Sequence, residues 1–358
     1  KFMGSGKNPD LIGQQTRDAI AAAQQAAKPF FINCNITDPH RPFYGSEQGA
    51  ARKQKKAAKK SADLDAEGGE DKEGILEPLK PAEVPIPKFL EDVPNLRREV
   101  AQYYSSIKRL DLSFAQIMKA LDASGEAART VVIFMSDHGM SFPFSKATVY
   151  FNGTRSPVCV RWPGMGAPQR REEFVSSVDL MPSLLEILRV PAPGGLDGRS
   201  WLPLLRGETQ PDRDHVFTNV NSVSSGIFFP QRCVRTATRA LMFHAWAAPD
   251  ASFKVEAMNG LSYAALAEAA KTDARIAGRV DQLIHGYVLA FYDLTKDEAE
   301  RRNEIANPAF AAEVAKMKTQ LLGYMERTSD PQLANYRKAL AGEPINLKME
   351  RLNRKKGE

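Results

Sequence analysis

Two pairs of acidic and imidazole side chains are the groups in this sequence best suited to chemistry. Asp38 and His40 occupy one short polar segment, and Asp137 and His138 occupy another. Carboxylate and imidazole groups bind divalent metal ions and transfer protons. Each pair could equally be a turn-forming aspartate beside a surface histidine. Neither pair alone decides between these two interpretations.

Each pair directly follows a predicted strand. Residues 30–36 and 131–135 are short apolar runs, as expected of strands buried in a parallel sheet. Apolar residues at spacings of three and four between residues 96 and 121 predict a long amphipathic helix. This alternation indicates an α/β fold with a parallel sheet, in which ligands gather beyond the carboxyl ends of the strands. Both pairs occupy such an end.

The remaining chain divides into three predicted regions. A third strand at 157–162 and a helix at 178–188 complete an α/β domain over residues 1–205. Short apolar segments near residues 216, 227, 234 and 241–243 predict a smaller antiparallel sheet within residues 206–330, followed by a helix near 262–271. Residues 331–358 are polar and basic, which predicts a poorly ordered tail.

Charge and cysteine content exclude several classes of protein. The net charge of +6 is concentrated in a basic run at 52–60 that acidic residues follow at once. This composition predicts a flexible insert at 46–80 and no nucleic-acid site, because no aromatic residues are interleaved. Three distant cysteines favour neither disulfides nor zinc, and Cys34 and Cys159 are predicted to be buried. No apolar stretch is long enough to span a membrane.

Several segments, in this order, resemble the conserved blocks of sulfatases, members of the alkaline-phosphatase superfamily. They are Asp-Pro-His-Arg-Pro-Phe at 38–43, Ser-Asp-His-Gly at 136–139, Gly-Thr-Arg-Ser-Pro at 153–157, Arg-Trp-Pro-Gly at 161–164, Leu-Asp-Gly-Arg-Ser at 196–200 and Tyr-Asp-Leu at 292–294. Phe-Pro-Phe-Ser-Lys at 142–146 is most similar to the heparan N-sulfatase (sulfamidase) branch. The resemblance implies an alkaline-phosphatase-like α/β fold, with a mostly parallel sheet flanked by helices and a smaller C-terminal subdomain containing an antiparallel sheet.

The resemblance also implies roles for individual residues. Asp137 would be a metal ligand, and His138 would be a second ligand or a contact to the nucleophile. The cation in this family is a divalent metal, usually calcium. His40 would face the sulfate and hydrogen-bond it or protonate the leaving group, and Lys146 would neutralise sulfate charge. Asp38 and Arg41 are expected to shape their loop rather than to act in catalysis.

The nucleophile that the family uses has no counterpart here. Sulfatases carry a formylglycine, which a formylglycine-generating enzyme makes from a Cys or Ser in a Cys/Ser-x-Pro-x-Arg motif. None of the three cysteines is followed by a proline two residues later. We therefore expect a fragment that is inactive by itself, from a protein that acts on a sulfated carbohydrate. By the same resemblance, its location would be periplasmic, secreted or lysosomal.

Two other functions remain open at this point. A phosphodiesterase or phosphatase of the same superfamily would use a plain Ser or Thr nucleophile in place of formylglycine. A non-catalytic relative would bind sulfated glycans and lack the Cys/Ser-x-Pro-x-Arg motif altogether. The residue that stands at the nucleophile position would separate these alternatives from a sulfatase.

Overall fold

The computed structural model describes residues 6–51, 76–165, 168–247, 250–345 and 347. Most of the predicted insert at 46–80, and the predicted tail from 348 onward, lie outside these described residues. In the described ranges, no helix combines the length and the apolar character needed to cross a membrane.

Most regular elements of the first half of the chain are helices. Its elements are α1 (Pro9–Gln25), α2 (Pro94–Ala123), β1 (Val132–Met135), α3 (Phe151–Thr154), β2 (Val158–Arg161), α4 (Leu180–Ile187) and α5 (Leu202–Leu205). The side chain of Asn8 caps α1 by accepting a hydrogen bond from the backbone N–H of Leu11 at 3.2 Å. Pro94 begins α2, and Gly125 at φ +77° follows its end. The long helix predicted between residues 96 and 121 is confirmed.

The strands of this half do not pair as the sequence predicted. β1 and β2 form an antiparallel pair, with Val132 opposite Arg161. Residues 30–36 have no strand partner among the described residues, and the Phe31 side chain is 81% exposed. Cys159 on β2 is also exposed, contrary to the prediction. An apolar run indicates which residues can be buried, but burial also requires neighbouring elements on both faces.

The second half contains a four-stranded antiparallel sheet, as predicted. Its strands are β3 (His215–Ser222), β4 (Phe228–Thr236), β5 (Arg239–His244) and β6 (Leu289–Asp293), which lie side by side in that order. The sequence did not predict β6. Helices α6 (Leu261–Ala269), α7 (Ala274–His285), α8 (Ala311–Arg327) and α9 (Leu333–Ala341) accompany the sheet.

Alternate side chains of this sheet enter two different hydrophobic clusters. Leu241 and Phe291 pack with residues of α8 and α9 on one face. Met242 and Tyr292 belong to the cluster on the other face, which also includes residues of the first half. The period of two along each strand therefore places the sheet between α8 and α9 on one side and the α2 region on the other.

Part of the predicted polar tail is ordered. Residues Leu333–Ala341 form α9, and Tyr336 on this helix is fully buried. The Tyr336 ring lies 4.9 Å from the Phe243 ring of the sheet. One buried aromatic side chain among charged residues thus anchors a segment whose average composition is polar.

Candidate active site

A buried ion pair holds the loop that carries His40. Arg109 of α2 donates two hydrogen bonds to the Asp38 carboxylate, at 2.5 and 2.9 Å, and both side chains are buried. The Lys7 ammonium donates to the backbone oxygens of His40 and Pro42, at 2.6 and 2.7 Å. The Lys7 and Arg109 side chains therefore hold the loop in place. Asp38 is a structural residue, as predicted.

The His40 ring belongs to this loop. The residue is exposed, and its Nδ1 lies 2.7 Å from the backbone oxygen of Arg41. Because a carbonyl oxygen can only accept, this contact requires the proton on Nδ1. The second ring nitrogen, Nε2, is then the atom that can accept or donate a proton.

Asp137 and His138 lie in the loop that follows β1. The backbone N–H of His138 donates to the Asp137 carboxylate at 2.9 Å, and His138 Nε2 lies 3.4 Å from the other Asp137 oxygen. In the part of the chain that the structure describes, no three His, Cys, Asp or Glu side chains cluster as a metal-binding group. Calcium takes about 6–8 oxygen ligands. The described residues thus provide only part of such a ligand set.

Lys146 ends the same loop and makes an ion pair with Glu256. The Lys146 ammonium lies 3.2 Å from the Glu256 carboxylate, and the two side chains are 14% and 24% exposed. Glu256 lines a pocket of about 300 Å³. The other lining residues are His40, Arg41, Pro42, Gln48 and Asn259. A histidine, an arginine and a glutamate therefore line one opening, and Lys146 contacts the glutamate.

A second buried network holds the two walls of this pocket together. Arg41 donates to the Glu99 carboxylate and, at 3.0 Å, to the backbone oxygen of Ser141. Glu99 also accepts hydrogen bonds from the backbone N–H groups of Leu261 and Ser262, at 3.0 and 2.8 Å. The His40 loop, the β1 loop and the start of α6 are thereby joined. We call Arg41, Glu99 and Ser262 the clamp.

The backbone approaches the clamp closely at Gly260. A Cβ atom at this position would lie 2.4 Å from Arg41 Nη2 and 2.5 Å from a Glu99 carboxylate oxygen.

Burial opposes the ionisation of Glu99, but hydrogen bonds and charge from Arg41 and hydrogen bonds from Ser262 outweigh it. The pKa of Glu99 is therefore below its ordinary value.

Comparison with known proteins identifies the family of this chain. The family model described as Sulfatase matches residues 8–190. The chain belongs to the sulfatase family. It is 27% identical over 327 residues to human N-sulphoglucosamine sulphohydrolase, covering 86% of this chain and 62% of that protein. It is 25% identical over 369 residues to the multifunctional alkaline phosphatase superfamily protein PehA of Trinickia caryophylli, covering 95% of this chain and 65% of that protein.

Solved structures share the fold of this sulfatase chain. A candidate sulfatase from Bacteroides thetaiotaomicron VPI-5482 superposes with a TM-score of 0.61 at 19% identity, covering 96% of this chain and 67% of the other. These neighbours confirm the predicted sulfatase-like α/β fold with a C-terminal antiparallel sheet, although both sheets in the described residues are antiparallel. The chain spans about three fifths of the length of the human relative.

Of the four predicted site residues, His40 lines the pocket. Lys146 does not line it but makes an ion pair with Glu256, which does. Asp137 and His138 contact each other but are not among the described residues that line this pocket. The roles of all four residues remain predictions.

Sequence reasoning missed two acidic residues of the candidate site. Glu256 belongs to the short 3-10 helix Glu256–Asn259, and no local pattern marks it. Glu99 could have been found, because it falls on the apolar stripe of α2, three residues after Leu96 and four before Tyr103. A carboxylate on a buried face requires a partner, and Arg41 is that partner.

Replacing Glu99 with glutamine is expected to lower the free energy of unfolding by about 2–3 kcal/mol at pH 7, because Arg41 then lacks its counter-charge. Since the folded-state pKa of Glu99 is lowered, the ionic contribution is complete above the unfolded pKa. It is lost as the pH falls through the folded pKa. The gap between wild type and variant in urea unfolding should therefore shrink between pH 7 and pH 3.

Glu268 provides the control for this prediction. It makes an exposed ion pair with Lys271, so Glu268→Gln should change stability little at either pH. A Glu99→Gln effect that is equally large at pH 7 and pH 3 would contradict the charged role of Glu99.

Proposed function

We propose that the whole protein hydrolyses a sulfate ester or a sulfamate on a carbohydrate. The observation that carries this proposal is the pocket that joins His40 to the ion pair of Lys146 and Glu256. Sulfate transfer requires a fixed positive charge near the sulfate and a group that can protonate the leaving atom. The name of the human relative, N-sulphoglucosamine sulphohydrolase, supports an N-sulfated sugar as the substrate class.

His40 and Lys146 would have different roles in the reaction. Protonated at Nε2, His40 would donate its proton to the oxygen or nitrogen that leaves when the bond to sulfur breaks. Lys146 would attract the sulfate and offset its charge, which a rigid and partly dehydrated cation does better than water. The Lys7 and Arg109 contacts would keep the His40 loop in place during this step.

Asp137 and His138 would contribute to a divalent metal site, with calcium as the cation. When bound, this ion would stabilise the charge of the nucleophile and polarise the sulfuryl oxygens. Asp137 is the stronger candidate ligand, because its exposed carboxylate offers the oxygen atoms that calcium prefers. Asp137 and His138 alone would not complete the coordination of calcium, so further oxygen ligands would be needed.

The nucleophile would be a formylglycine that this chain does not carry. The proposal therefore includes a Cys/Ser-x-Pro-x-Arg motif elsewhere in the whole protein, matured by a formylglycine-generating enzyme. On this basis, this chain by itself would bind the substrate without turning it over. Sulfated glycosaminoglycans would be the natural polymers that contain the substrate unit.

The decisive assay uses the full gene product, co-expressed with a formylglycine-generating enzyme. It would be offered glucosamine N-sulfate, 4-nitrophenyl sulfate and bis(4-nitrophenyl) phosphate. Sulfate release would support the proposal. Faster cleavage of the phosphate diester would favour phosphoryl transfer, an activity class consistent with the description of PehA as a multifunctional alkaline phosphatase superfamily protein. Binding of the sulfated sugar without any hydrolysis would favour a non-catalytic glycan-binding protein.

Replacing Lys146 with alanine is expected to weaken the binding of glucosamine N-sulfate by about 10- to 100-fold, the range for losing a hydrogen bond to a charged group. The physical reason is that the sulfate would then face Glu256 without a cation between them. Isothermal titration of this chain measures the effect.

Lys88 offers a matched control for the titration. It also pairs with a glutamate, Glu298, but both side chains are exposed, at 77% and 61%. Lys88→Ala should leave the affinity unchanged. Equal losses in the two variants would mean that the effect reflects net charge rather than a sulfate site.

A further inference from the structure

Glu256 has no explained role in sulfate binding. It comes from the C-terminal half and lines the pocket together with His40 and Pro42 of the first half. Its charge has the same sign as that of sulfate, so by itself it would repel the anion that Lys146 attracts. Sulfate binding therefore does not explain why a carboxylate lines this pocket, and another interaction must explain it.

The position of the carboxylate suggests that interaction. The contact with Lys146 uses Oε2 of Glu256, and about a quarter of the side chain remains exposed to the pocket. A carboxylate accepts hydrogen bonds at both oxygens, so Oε1 can accept one from a molecule in the pocket. Asn259, one turn further along the same short helix, offers an amide that both donates and accepts.

Sugar hydroxyl groups are the donors that fit this arrangement. A hydroxyl donates a short, charge-assisted hydrogen bond to a carboxylate. A ring that carries a sulfate would place its hydroxyl groups a few ångströms from the sulfur. Lys146 could then hold the sulfate while Glu256 holds the ring.

We propose that Glu256, assisted by Asn259, binds hydroxyl groups of the sulfated sugar and makes the pocket selective for carbohydrate over aryl sulfates. This inference rests on the proposed function. A site built to hydrogen-bond a substrate hydroxyl discriminates strongly against analogues that lack it, because its own polar groups are then left unpaired. Glu256 is a specificity-determining residue in this scheme, and Lys146 supplies the affinity for sulfate.

The clamp explains how a residue so distant in sequence can be placed accurately. Glu99 accepts hydrogen bonds from the first residues of α6, immediately after the 3-10 helix that carries Glu256. It also holds Arg41, the neighbour of His40. The two walls of the pocket are thus fixed relative to each other before substrate arrives.

The test compares two substrates in two variants. In the matured full gene product, Glu256→Gln and Glu256→Ala are expected to lower the ratio of kcat/KM for glucosamine N-sulfate over 4-nitrophenyl sulfate by about 10- to 100-fold. Glu298→Gln is the matched control, because it neutralises a glutamate that pairs with a lysine outside the pocket. An unchanged ratio would overturn the inference, as would a proportional loss on both substrates, which would show that Glu256 only positions Lys146.

A binding measurement separates this inference from the proposed function. Isothermal titration of this chain with glucosamine N-sulfate and with inorganic sulfate should show that Glu256→Ala weakens sugar binding and not sulfate binding. Loss of both would count against the sugar contact. The same titration of the full gene product, expressed without the formylglycine-generating enzyme, decides between the two proposals. If that wild-type protein binds neither ligand, the proposed function itself fails; if it binds both and the variant matches it, only the role of Glu256 fails.

Discussion

Replacement of His40 by alanine is expected to lower kcat/KM for glucosamine N-sulfate by about 10²- to 10⁴-fold in the matured full gene product. The reason is geometric. The Nδ1 contact to the Arg41 oxygen commits one ring nitrogen to the loop, and the other nitrogen is the atom that can protonate a leaving group. Steady-state kinetics across a range of pH would measure the loss.

A second substrate with a better leaving group tests whether His40 acts as the acid. An aryl sulfate leaves with little help from an acid, so the His40→Ala defect should be much smaller on 4-nitrophenyl sulfate than on the sugar. His285→Ala is the matched control, because His285 is an exposed histidine hydrogen-bonded to Asp281 on α7. A His40→Ala enzyme that retains nearly full activity on the sugar would exclude His40 as the acid.

Removing the Glu300 carboxylate is expected to have the largest effect on stability. Arg235 and Glu300 form an ion pair at 2.5 Å, with side chains only 3% and 1% exposed. Among the described residues, Nε and Nη1 of Arg235 have no hydrogen-bond partner, so its charge depends on Glu300. Glu300→Ala should therefore lower the free energy of unfolding by about 3–5 kcal/mol, as measured by urea denaturation.

A double variant distinguishes the lost pair from a general packing defect. Arg235→Met combined with Glu300→Ala removes both charges, and it should recover much of the stability that Glu300→Ala loses alone. Glu326→Ala, which breaks an exposed ion pair with Arg337, should cost about 1 kcal/mol at most. A double variant that is less stable than Glu300→Ala would contradict the role assigned to the pair.

The sequence was informative where structure depends on local pattern. The stripe of apolar residues in α2 and the apolar run of β1 are patterns of residues that are close together in the sequence. Such patterns indicate a helix or a strand without reference to distant residues. The structure accordingly has Pro94–Ala123 as a helix and Val132–Met135 as a strand. His40 and Lys146 were predicted as site residues from short motifs, and their roles stay predictions.

Prediction failed where structure depends on distant partners. The run at 30–36 has strand-like composition, yet pairing requires another strand whose position that run does not encode. Glu256 contacts Lys146 only because the 3-10 helix Glu256–Asn259 and the loop after β1 are folded against each other. No spacing within one segment could reveal such a contact.

The clamp also bears on how substrate could enter the site. Many enzymes with two lobes open and close about a hinge. Here Glu99 accepts hydrogen bonds from the start of α6 and pairs with Arg41 of the His40 loop, and one hydrophobic cluster extends from Phe43 to Ala299 across both halves of the chain. A hinge between the halves would have to break a buried ion pair and divide a continuous core. We therefore expect the pocket to have the same shape before and after a ligand binds. Changes of specificity would then arise from side-chain replacement rather than from altered domain motion.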